Sequence, residues 1–300
     1  MDHLDTATAV GQPVLDEADR DIARQAVPSG KDRPQTWDLI RHWFLVLPPS
    51  RPSAAHLRAV ADAIADVPRD RPVAVLGSTP EFRDLLTRRG FSRVYVIDKS
   101  HIAFHRMTAL RASTGPETFV HDDWLTALPN FSHEFSCILS DLTSGNIPYD
   151  LHSHFYDAIA GALTSDGIFV DKVLTHLSHK RRLTDLLPKY DSLPLNLLYI
   201  NHFSCEFLFA SELLNINHTV DTSRFYDILS THCTTPALRG FLLHCPKITP
   251  RGCLWYYGKP WDEVSKPYTS ALSILRTTDD DAHSPYHGNL KLILSRPRQR

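Results

Sequence analysis

The sequence is poor in the features that define several large classes of protein. Glycine is scarce, with 12 in 300 residues, and the five cysteines are an odd number without a Cys-x-x-Cys pair. A disulfide framework and a structural zinc site are therefore disfavoured, and we expect no metal site. No apolar run approaches the roughly twenty residues of a membrane span, and residues 1–28 lack the apolar core of a signal peptide. We expect a cytoplasmic protein without a membrane partner.

Charge of one sign is also missing, since the formal net charge is −2. No overall field then draws the chain to nucleic acid, and the basic runs at 180–182 and 296–300 are short enough to be solvated faces. We expect no nucleic-acid partner. With 42% hydrophobic residues the chain can bury a large core, and we favour one enlarged domain.

Residues 71–174 organise the chain. Within them, residues 73–81 read Val-Ala-Val-Leu-Gly-Ser-Thr-Pro-Glu, which predicts a buried strand that turns directly into a helix. Thr79 is expected to accept hydrogen bonds from amides of the first helical turn, and Glu81 complements the positive end of the helix dipole. Gly77 is the position at which a ligand could approach bare backbone.

Acidic residues recur where further strands end. Asp98 follows the apolar run 94–97 and comes twenty-one positions after Gly77, a spacing that brings a carboxylate to a ribose diol in strand–helix–strand units. The carboxyl ends of parallel strands meet along one sheet edge, where α/β proteins bind ligands. The pattern therefore indicates a nucleoside-bearing ligand. Further strands are expected at 117–120, before Asp122 and Asp123, at 135–140, before Asp141, and at 167–170.

The phosphate-binding loops are missing. A dinucleotide site needs Gly-x-Gly-x-x-Gly so that backbone amides approach a pyrophosphate, but Ser-Thr-Pro-Glu follows Gly77. A Walker loop is also absent. A ligand with ribose and adenine but no phosphate, such as S-adenosylmethionine, is compatible with this sequence.

With these motifs the chain resembles the class I S-adenosylmethionine-dependent methyltransferases, and more closely a branch whose first motif reads Leu-Gly-(small)-Thr-Pro-Glu. The resemblance covers roughly residues 37–174 well and the remainder weakly, and it keeps one glycine of the usual three. It implies a Rossmann-like, seven-stranded, mostly parallel sheet flanked by helices, with an antiparallel last strand inserted between its neighbours. The matching segments are 76–81, 98–100, 122–124 and 140–141.

The resemblance also implies a division of the chain. Residues 1–33 are expected to be a flexible N-terminal segment, and residues 34–300 a single methyltransferase-like domain. In the extension, helices are expected at 36–45, with Trp37, Ile40 and Phe44 on one face, and at 53–67. The parts of the domain are the helical extension or lid at 34–70, the cofactor-binding core at 71–174, an insertion shaping the acceptor pocket at 175–265, and the last strands at 266–300, near 270–276 and 288–295.

The resemblance assigns a cofactor site. Asp98 binds the ribose, Asp122 or Asp123 binds the adenine amino group beside Trp124 or Leu125, and Arg51 faces the cofactor's carboxylate. Ordinary structural roles remain open, since the aspartates could cap helices and Arg51 could lie at the surface. One aspartate of the pair should point to water, because two buried like charges disfavour ionisation. The full set is Arg51, Gly77, Ser78, Thr79, Glu81, Asp98, Lys99, Asp122, Asp123, Trp124 and Asp141.

The candidate catalytic residues are Asp141, Thr143 and Tyr149, in and after the fourth strand, where methyltransferases hold the sulfonium and the acceptor. An ordinary strand-to-helix connection is the alternative. The aromatic segment 251–261 is either the wall of an acceptor pocket or core packing, and we favour the wall. Histidine is abundant, with seventeen residues, but the spacing of His152 and His154 argues against a joint metal site.

The expected function is therefore a methyltransferase of the EC 2.1.1 class, acting on a small-molecule acceptor such as a natural product by in-line displacement. S-adenosyl-L-methionine is the expected cofactor and S-adenosyl-L-homocysteine the product. No residue stands out as a base, so methylation of N, O or C remains open, as does a homodimer. The alternatives are a non-catalytic binding or regulatory protein with this fold and, less favoured, a nicotinamide-dependent oxidoreductase, which should carry the other two glycines.

Overall fold

The computed structural model of the protein describes residues 42–176, 181–208, 210–215, 217–279 and 286–299. The expected N-terminal segment at 1–33 lies outside these residues. The described strands are β1 (Val73–Leu76), β2 (Val94–Ile97), β3 (Glu117–Val120), β4 (Phe135–Asp141), β5 (Leu163–Leu174), β6 (Val220–Asp221), β7 (Leu254–Trp255), β8 (Leu272–Asp279) and β9 (Leu290–Pro297).

Seven of the described strands form one sheet in the order β3-β2-β1-β4-β5-β9-β8, and β6 pairs with β7 separately. Strands β1 to β5 run parallel, whereas β9 is antiparallel to both β5 and β8. This arrangement confirms the expected sheet, including the last strand inserted between its neighbours. All five parallel strands therefore end at one edge, beside Gly77, Asp98 and Asp141.

The described α-helices surround this sheet and build the insertion after β5. The helix expected at 53–67 is present but ends at Ala63, and the Ser53 hydroxyl caps its first turn. The helices are α1 (Ala54–Ala63), α2 (Pro80–Arg88), α3 (His101–Thr108), α4 (Trp124–Ala127), α5 (His152–Ala162), α6 (Leu183–Asp191), α7 (Leu197–Phe207), α8 (Thr222–His232), α9 (Pro236–His244) and α10 (Trp261–Ala271).

The alternation of side chains along β1 separates two cores. Val73 and Val75 pack on the face covered by α1 and α2, while Ala74 and Leu76 pack with α4, α5 and α10 on the other face. Because both faces are covered, the parallel strands read as nearly continuous apolar runs. A charged side chain on β4, or in residues 169–174 of β5, is therefore buried whichever face it takes.

The insertion has a core of its own, made largely of aromatic rings. Phe203 stacks on Phe207 and Phe241, with ring centroids 4.2 and 5.4 Å apart, and Tyr190 meets Phe203 edge to face at 5.1 Å. Offset and edge-to-face contacts of this kind stabilise the cluster beyond simple burial. The insertion therefore has a hydrophobic cluster of its own, separate from the two cores on the faces of the sheet.

The expected helix at 36–45 is wrong in the part that is described. Residues Trp43–Leu45 form a 3-10 turn, in which Trp43 is buried and Phe44 is 62% exposed. Trp37 and Ile40 lie outside the described residues. The helical spacing assigned the wrong aromatic residue to the core, because a turn with three residues per repeat rotates the side chains differently. In the described part of the chain, no helix has the length and apolar character to cross a membrane.

Candidate functional site

The loop after β1 has the backbone geometry expected of a ligand-facing glycine. Gly77 has φ +83, a value that side-chain-bearing residues rarely adopt, and a Cβ atom there would lie 3.9 Å from Cζ2 of Trp124. Thr79 occupies the N-cap position of α2 but does not cap it with its side chain. Its hydroxyl instead donates to Asp141 at 3.3 Å, which corrects the sequence expectation. The Thr79 hydroxyl therefore bonds to the carboxylate at the end of the neighbouring strand β4 and not to the amides of α2.

Asp98 lies buried at the end of β2, beside Gly77. One of its carboxylate oxygens accepts a hydrogen bond from the Ser78 hydroxyl at 2.7 Å, and the other accepts from the backbone N–H of Ser100 at 2.8 Å. The side chain is 2% exposed, and the Gly77 amide donates to the Ile97 carbonyl. Asp98 is therefore a buried carboxylate, held by Ser78 and Ser100 beside the bare backbone of Gly77.

The residues after β3 take different roles. Asp123 caps α4, accepting from the Leu125 amide at 3.0 Å, and pairs with Lys99 at 3.5 Å. Asp122 is exposed, as expected for one aspartate of the pair. Trp124 is buried, and its indole N–H donates to the Ile97 carbonyl at 2.7 Å. The ring is therefore fixed at the sheet edge next to Gly77, while the aspartates lie at the rim.

Arg51 does not lie free at the surface. It forms an ion pair with Glu81 in the first turn of α2, and its guanidinium carbon lies 5.9 Å from the ring centroid of Trp43. Burial raises the pKa of Glu81 and the Asp141 charge adds to the rise, whereas Arg51 opposes it. A cation and an anion therefore lie side by side at the N-terminus of α2.

Asp141 holds a second ion pair, which the sequence did not predict. Lys172 on β5 is fully buried, and its Nζ lies 3.0 Å from an Asp141 oxygen and donates to the Pro49 carbonyl at 2.7 Å. The two residues are register partners in neighbouring strands. Together with Thr79, this arrangement joins β4, β5, α2 and the segment before Arg51 at one point.

The other two candidate catalytic residues make structural contacts. The Thr143 hydroxyl lies 3.5 Å from the Leu76 carbonyl. The Tyr149 hydroxyl donates to the His218 carbonyl at 2.9 Å and accepts from the Lys259 amide at 3.2 Å, and burial raises its pKa. Asp141 lines the cavity described next, whereas Thr143 and Tyr149 do not.

A cavity of about 70 Å³ adjoins Asp141. Its described walls include aromatic residues from three separate parts of the chain, namely Trp43, Trp255, Tyr257 and Tyr286. Tyr257 lies directly on Gly145, since a Cβ atom at Gly145 would be 1.5 Å from Cε1 of the tyrosine ring. In the described part of the chain, no three His, Cys, Asp or Glu side chains are arranged to hold a metal ion.

Asp171 is a buried carboxyl group one residue before Lys172 and on the opposite face of β5. It pairs in register with Ser140 and is fully buried, and neither oxygen makes a hydrogen bond within the described residues. Burial raises its pKa to about 8, with a further contribution from the Asp141 charge and an opposing one from the nearby Ser140 hydroxyl. Asp171 is therefore protonated in the folded protein at neutral pH.

The sequence reasoning missed Trp43, Tyr286, Asp171 and Lys172. A usable signal existed for the last two, because adjacent charged residues interrupt the otherwise apolar run 168–174. A charged pair inside a buried strand needs internal partners, which would have pointed to Asp141. No local signal marks Trp43 or Tyr286, since their place at the cavity depends on long-range packing.

No protein-family model and no curated protein matches the sequence. Solved structures match by shape. A putative zinc-dependent alcohol dehydrogenase from Rhodobacter sphaeroides has a TM-score of 0.54 at 14% identity, over 88% of this chain and 97% of its own. The 1,6-didemethyltoxoflavin-N1-methyltransferase of Burkholderia thailandensis scores 0.51 at 11% identity, over 97% and 94%. The CcbJ methyltransferase from Streptomyces caelestis scores 0.50 at 14%, over 88% and 97%.

At such low identities these likenesses establish the fold alone. A dinucleotide-binding sheet has strand order 3-2-1-4-5-6, whereas this sheet inserts the antiparallel β9 between β5 and β8. The chain has the class I methyltransferase fold. Gly77, Asp98 and Asp141 lie at the edge where the parallel strands of this sheet end, and the cavity with aromatic walls adjoins Asp141 there.

The Asp141–Lys172 pair generates a stability prediction. Lys172→Met leaves a buried carboxylate without its cation and should lower the free energy of unfolding by about 3–5 kcal/mol. The double variant Lys172→Met/Asp141→Asn should recover part of that loss. Urea denaturation measures both, with Lys266→Met, a change at an exposed lysine, as the control. A single variant within about 1 kcal/mol of wild type would contradict the assigned pairing.

Asp171 generates a pH prediction. Its folded pKa of about 8 lies above the ordinary 3.8, so stability is lost as pH rises between these values, on the order of 1 kcal/mol per pH unit. Asp171→Asn resembles the protonated form and removes this slope. Urea denaturation at pH 5, 6 and 7 should show the variant gaining on wild type with rising pH. The exposed Asp157→Asn is the control, and parallel pH profiles for wild type and Asp171→Asn would refute the assignment.

Proposed function

We propose that the protein is an S-adenosylmethionine-dependent methyltransferase acting on a small-molecule acceptor. The observation that carries the proposal is the set of groups at one sheet edge: a bare glycine, a buried carboxylate at the end of the next strand, and an Arg–Glu pair at the N-terminus of α2. Each group matches a different part of the same ligand.

The chain's residues fit the cofactor on three counts. Asp98 places a buried carboxylate at the end of β2, and carboxylate oxygens are the acceptors that ribose hydroxyls pair with. Gly77 offers a backbone surface without a side chain, bounded by Trp124. The methionine end of the cofactor carries one ammonium and one carboxylate, and the adjacent Glu81 and Arg51 complement that zwitterion. The Burkholderia enzyme was crystallised with S-adenosylhomocysteine, which supports this choice of ligand.

The proposed holding roles follow from the contacts. Gly77, Ser78 and Thr79 form the loop under the ligand, Asp98 accepts from the ribose, and Trp124 lies on the adenosine side. Lys99 and Asp123 form a pair at the rim, and we assign the adenine amino group to one aspartate of the 122–123 pair.

The bound cofactor would supply an electrophilic methyl group. The protein then has to orient the acceptor in line and exclude water, which it can do without strong acid–base chemistry. Asp141 lies between the cofactor loop and the cavity, so we assign it the positioning of the acceptor. Thr143 and Tyr149 hold the surrounding loop through their backbone contacts and support Asp141 indirectly.

A non-catalytic binding protein of the same fold is the second candidate. The observation in its favour is that Ser78 and Ser100 already occupy both oxygens of Asp98, and that Lys172 neutralises Asp141. Such a protein would bind the cofactor without transferring its methyl group. A nicotinamide-dependent oxidoreductase is less favoured, because Ser78 and Thr79 replace the residues that should bring backbone amides to a pyrophosphate.

The ribose assignment predicts the effect of Asp98→Ala. Losing hydrogen bonds to a charged acceptor should weaken S-adenosylhomocysteine binding by about 1.5–3 kcal/mol, or roughly 10- to 150-fold in Kd. Equilibrium dialysis with labelled ligand measures the change. Asp62→Ala, at an exposed position of α1, is the control and should bind like wild type. Equal affinity in a folded Asp98→Ala variant would remove Asp98 from the site.

A further inference from the structure

The cavity beside Asp141 carries an inference about the acceptor, which rests on the proposed function. It is bounded by the end of β4, by the segment near Trp43 and by the aromatic stretch of the insertion. Asp141 connects the cavity to the expected cofactor loop at 77–79. It lines the cavity and accepts a hydrogen bond from the Thr79 hydroxyl. A ligand in this cavity is therefore next to the expected methyl donor.

The walls select for a flat and apolar ligand. The rings of Trp255 and Tyr257 are in contact, with centroids 6.0 Å apart and planes tilted by 38°, and Trp43 and Tyr286 add two further rings. Aromatic surfaces gain most from planar partners, through offset or edge-to-face contacts. The position of Tyr257 depends on Gly145, because only a residue without a Cβ leaves room for the ring.

The charges on the walls exclude an anionic ligand. Among the described lining residues there is no lysine, arginine or histidine. The carboxylate of Asp141 is balanced by Lys172, which is itself committed to Asp141 and to the Pro49 carbonyl. A ligand carboxylate or phosphate would therefore be buried without a cation, at a large cost. A ligand cation would find only a carboxylate that is already paired.

The cavity offers two side-chain acceptors in Asp141 and Asn146. Asn146 donates one amide N–H to the Leu142 carbonyl, and its own side-chain carbonyl oxygen can accept. The Tyr286 hydroxyl is used by the Cys205 carbonyl, whereas the Tyr257 hydroxyl makes no hydrogen bond within the described residues. Carboxylate and amide oxygens pair with a ligand that donates, so an N–H group is the best match.

The geometry points to an uncharged, planar aromatic or heteroaromatic acceptor that presents an N–H group to Asp141 and Asn146 and is methylated on that nitrogen. The nitrogen lone pair forms the new N–C bond while the C–S bond of the sulfonium donor breaks and its electron pair stays on sulfur. The nitrogen's proton then passes to water. No strong base is required, which suits a site where Asp141 is paired and burial raises the pKa of Tyr257.

Fragment binding tests the ligand class without relying on turnover. Protein saturated with S-adenosylhomocysteine is titrated with aniline, phenol, benzoate and cyclohexylamine, followed by ligand-observed NMR. Aniline and phenol should bind, while benzoate and the non-planar cyclohexylammonium should bind at least about tenfold more weakly. Benzoate binding as tightly as aniline would overturn the uncharged class.

A matched pair of glycine variants places the fragments in the cavity. Gly145→Ala displaces Tyr257 and should weaken aniline binding about tenfold, with S-adenosylhomocysteine affinity unchanged. Gly161→Ala, with no atom within 4 Å of the added Cβ, should alter neither. Equal loss or equal retention of aniline binding in the two variants would contradict the assignment of this cavity.

Turnover separates the nucleophiles. With S-adenosylmethionine at pH 7, N-methylaniline should form and anisole should not, as detected by mass spectrometry. Anisole without N-methylaniline would overturn the nitrogen assignment. If S-adenosylhomocysteine binds and no fragment does, this inference fails while the proposed function stands. If S-adenosylhomocysteine itself does not bind, the proposed function fails.

Discussion

The ion pair between Asp141 and Lys172 determines how the candidate site is assembled. A fully buried lysine needs a partner charge, and the register of β4 and β5 supplies one on the neighbouring strand. The lysine also holds the Pro49 carbonyl, so the chain segment that carries Arg51 is attached to the sheet edge. Thr79 attaches α2 to the same carboxylate. Three segments far apart in sequence thus meet at one buried pair.

This pair divides the edge into two parts with different chemistry. On one side lie Gly77, Asp98 and Trp124, which offer bare backbone, a carboxylate and a ring. On the other lies a cavity whose aromatic walls come from the insertion, from Trp43 and from Tyr286. Trp255 and Tyr257 belong to the hydrophobic core of the insertion, which also includes Leu174 of β5 and Leu290 of β9. Under the proposed function, the first part binds the methyl donor and the second part selects the acceptor.

The sequence predicted β1 to β4 closely, because short apolar runs ending at Gly77, Asp98 and Asp141 have few other interpretations. It underestimated β5, which spans Leu163–Leu174 rather than 167–170, and with it the roles of Asp171 and Lys172. Asp171 and Lys172 look like the end of a strand in the sequence, because charged residues rarely lie inside a buried strand. The ion-pair partner of Lys172 is Asp141, which is too far away in the sequence for a local pattern to include.

For the candidate site, too, the sequence named individual residues but not the contacts between them. Strand ends pointed to Asp98, and the family resemblance added Arg51. Glu81 was also a candidate, but its ion pair with Arg51 is known only from the structure. The predicted role of Tyr149 stays a prediction, and the structure adds that its hydroxyl donates to the insertion backbone at His218. A loop residue's direction depends on packing between distant segments, which composition and spacing do not encode.

The most direct test of the central claim is calorimetric titration of the purified protein with S-adenosylmethionine, S-adenosylhomocysteine and NAD. The account predicts micromolar binding of the two sulfur ligands, about −8 kcal/mol, and no measurable binding of NAD. Binding of NAD alone, or of none of the three, would contradict a cofactor site built from Gly77, Asp98 and the Arg51–Glu81 pair.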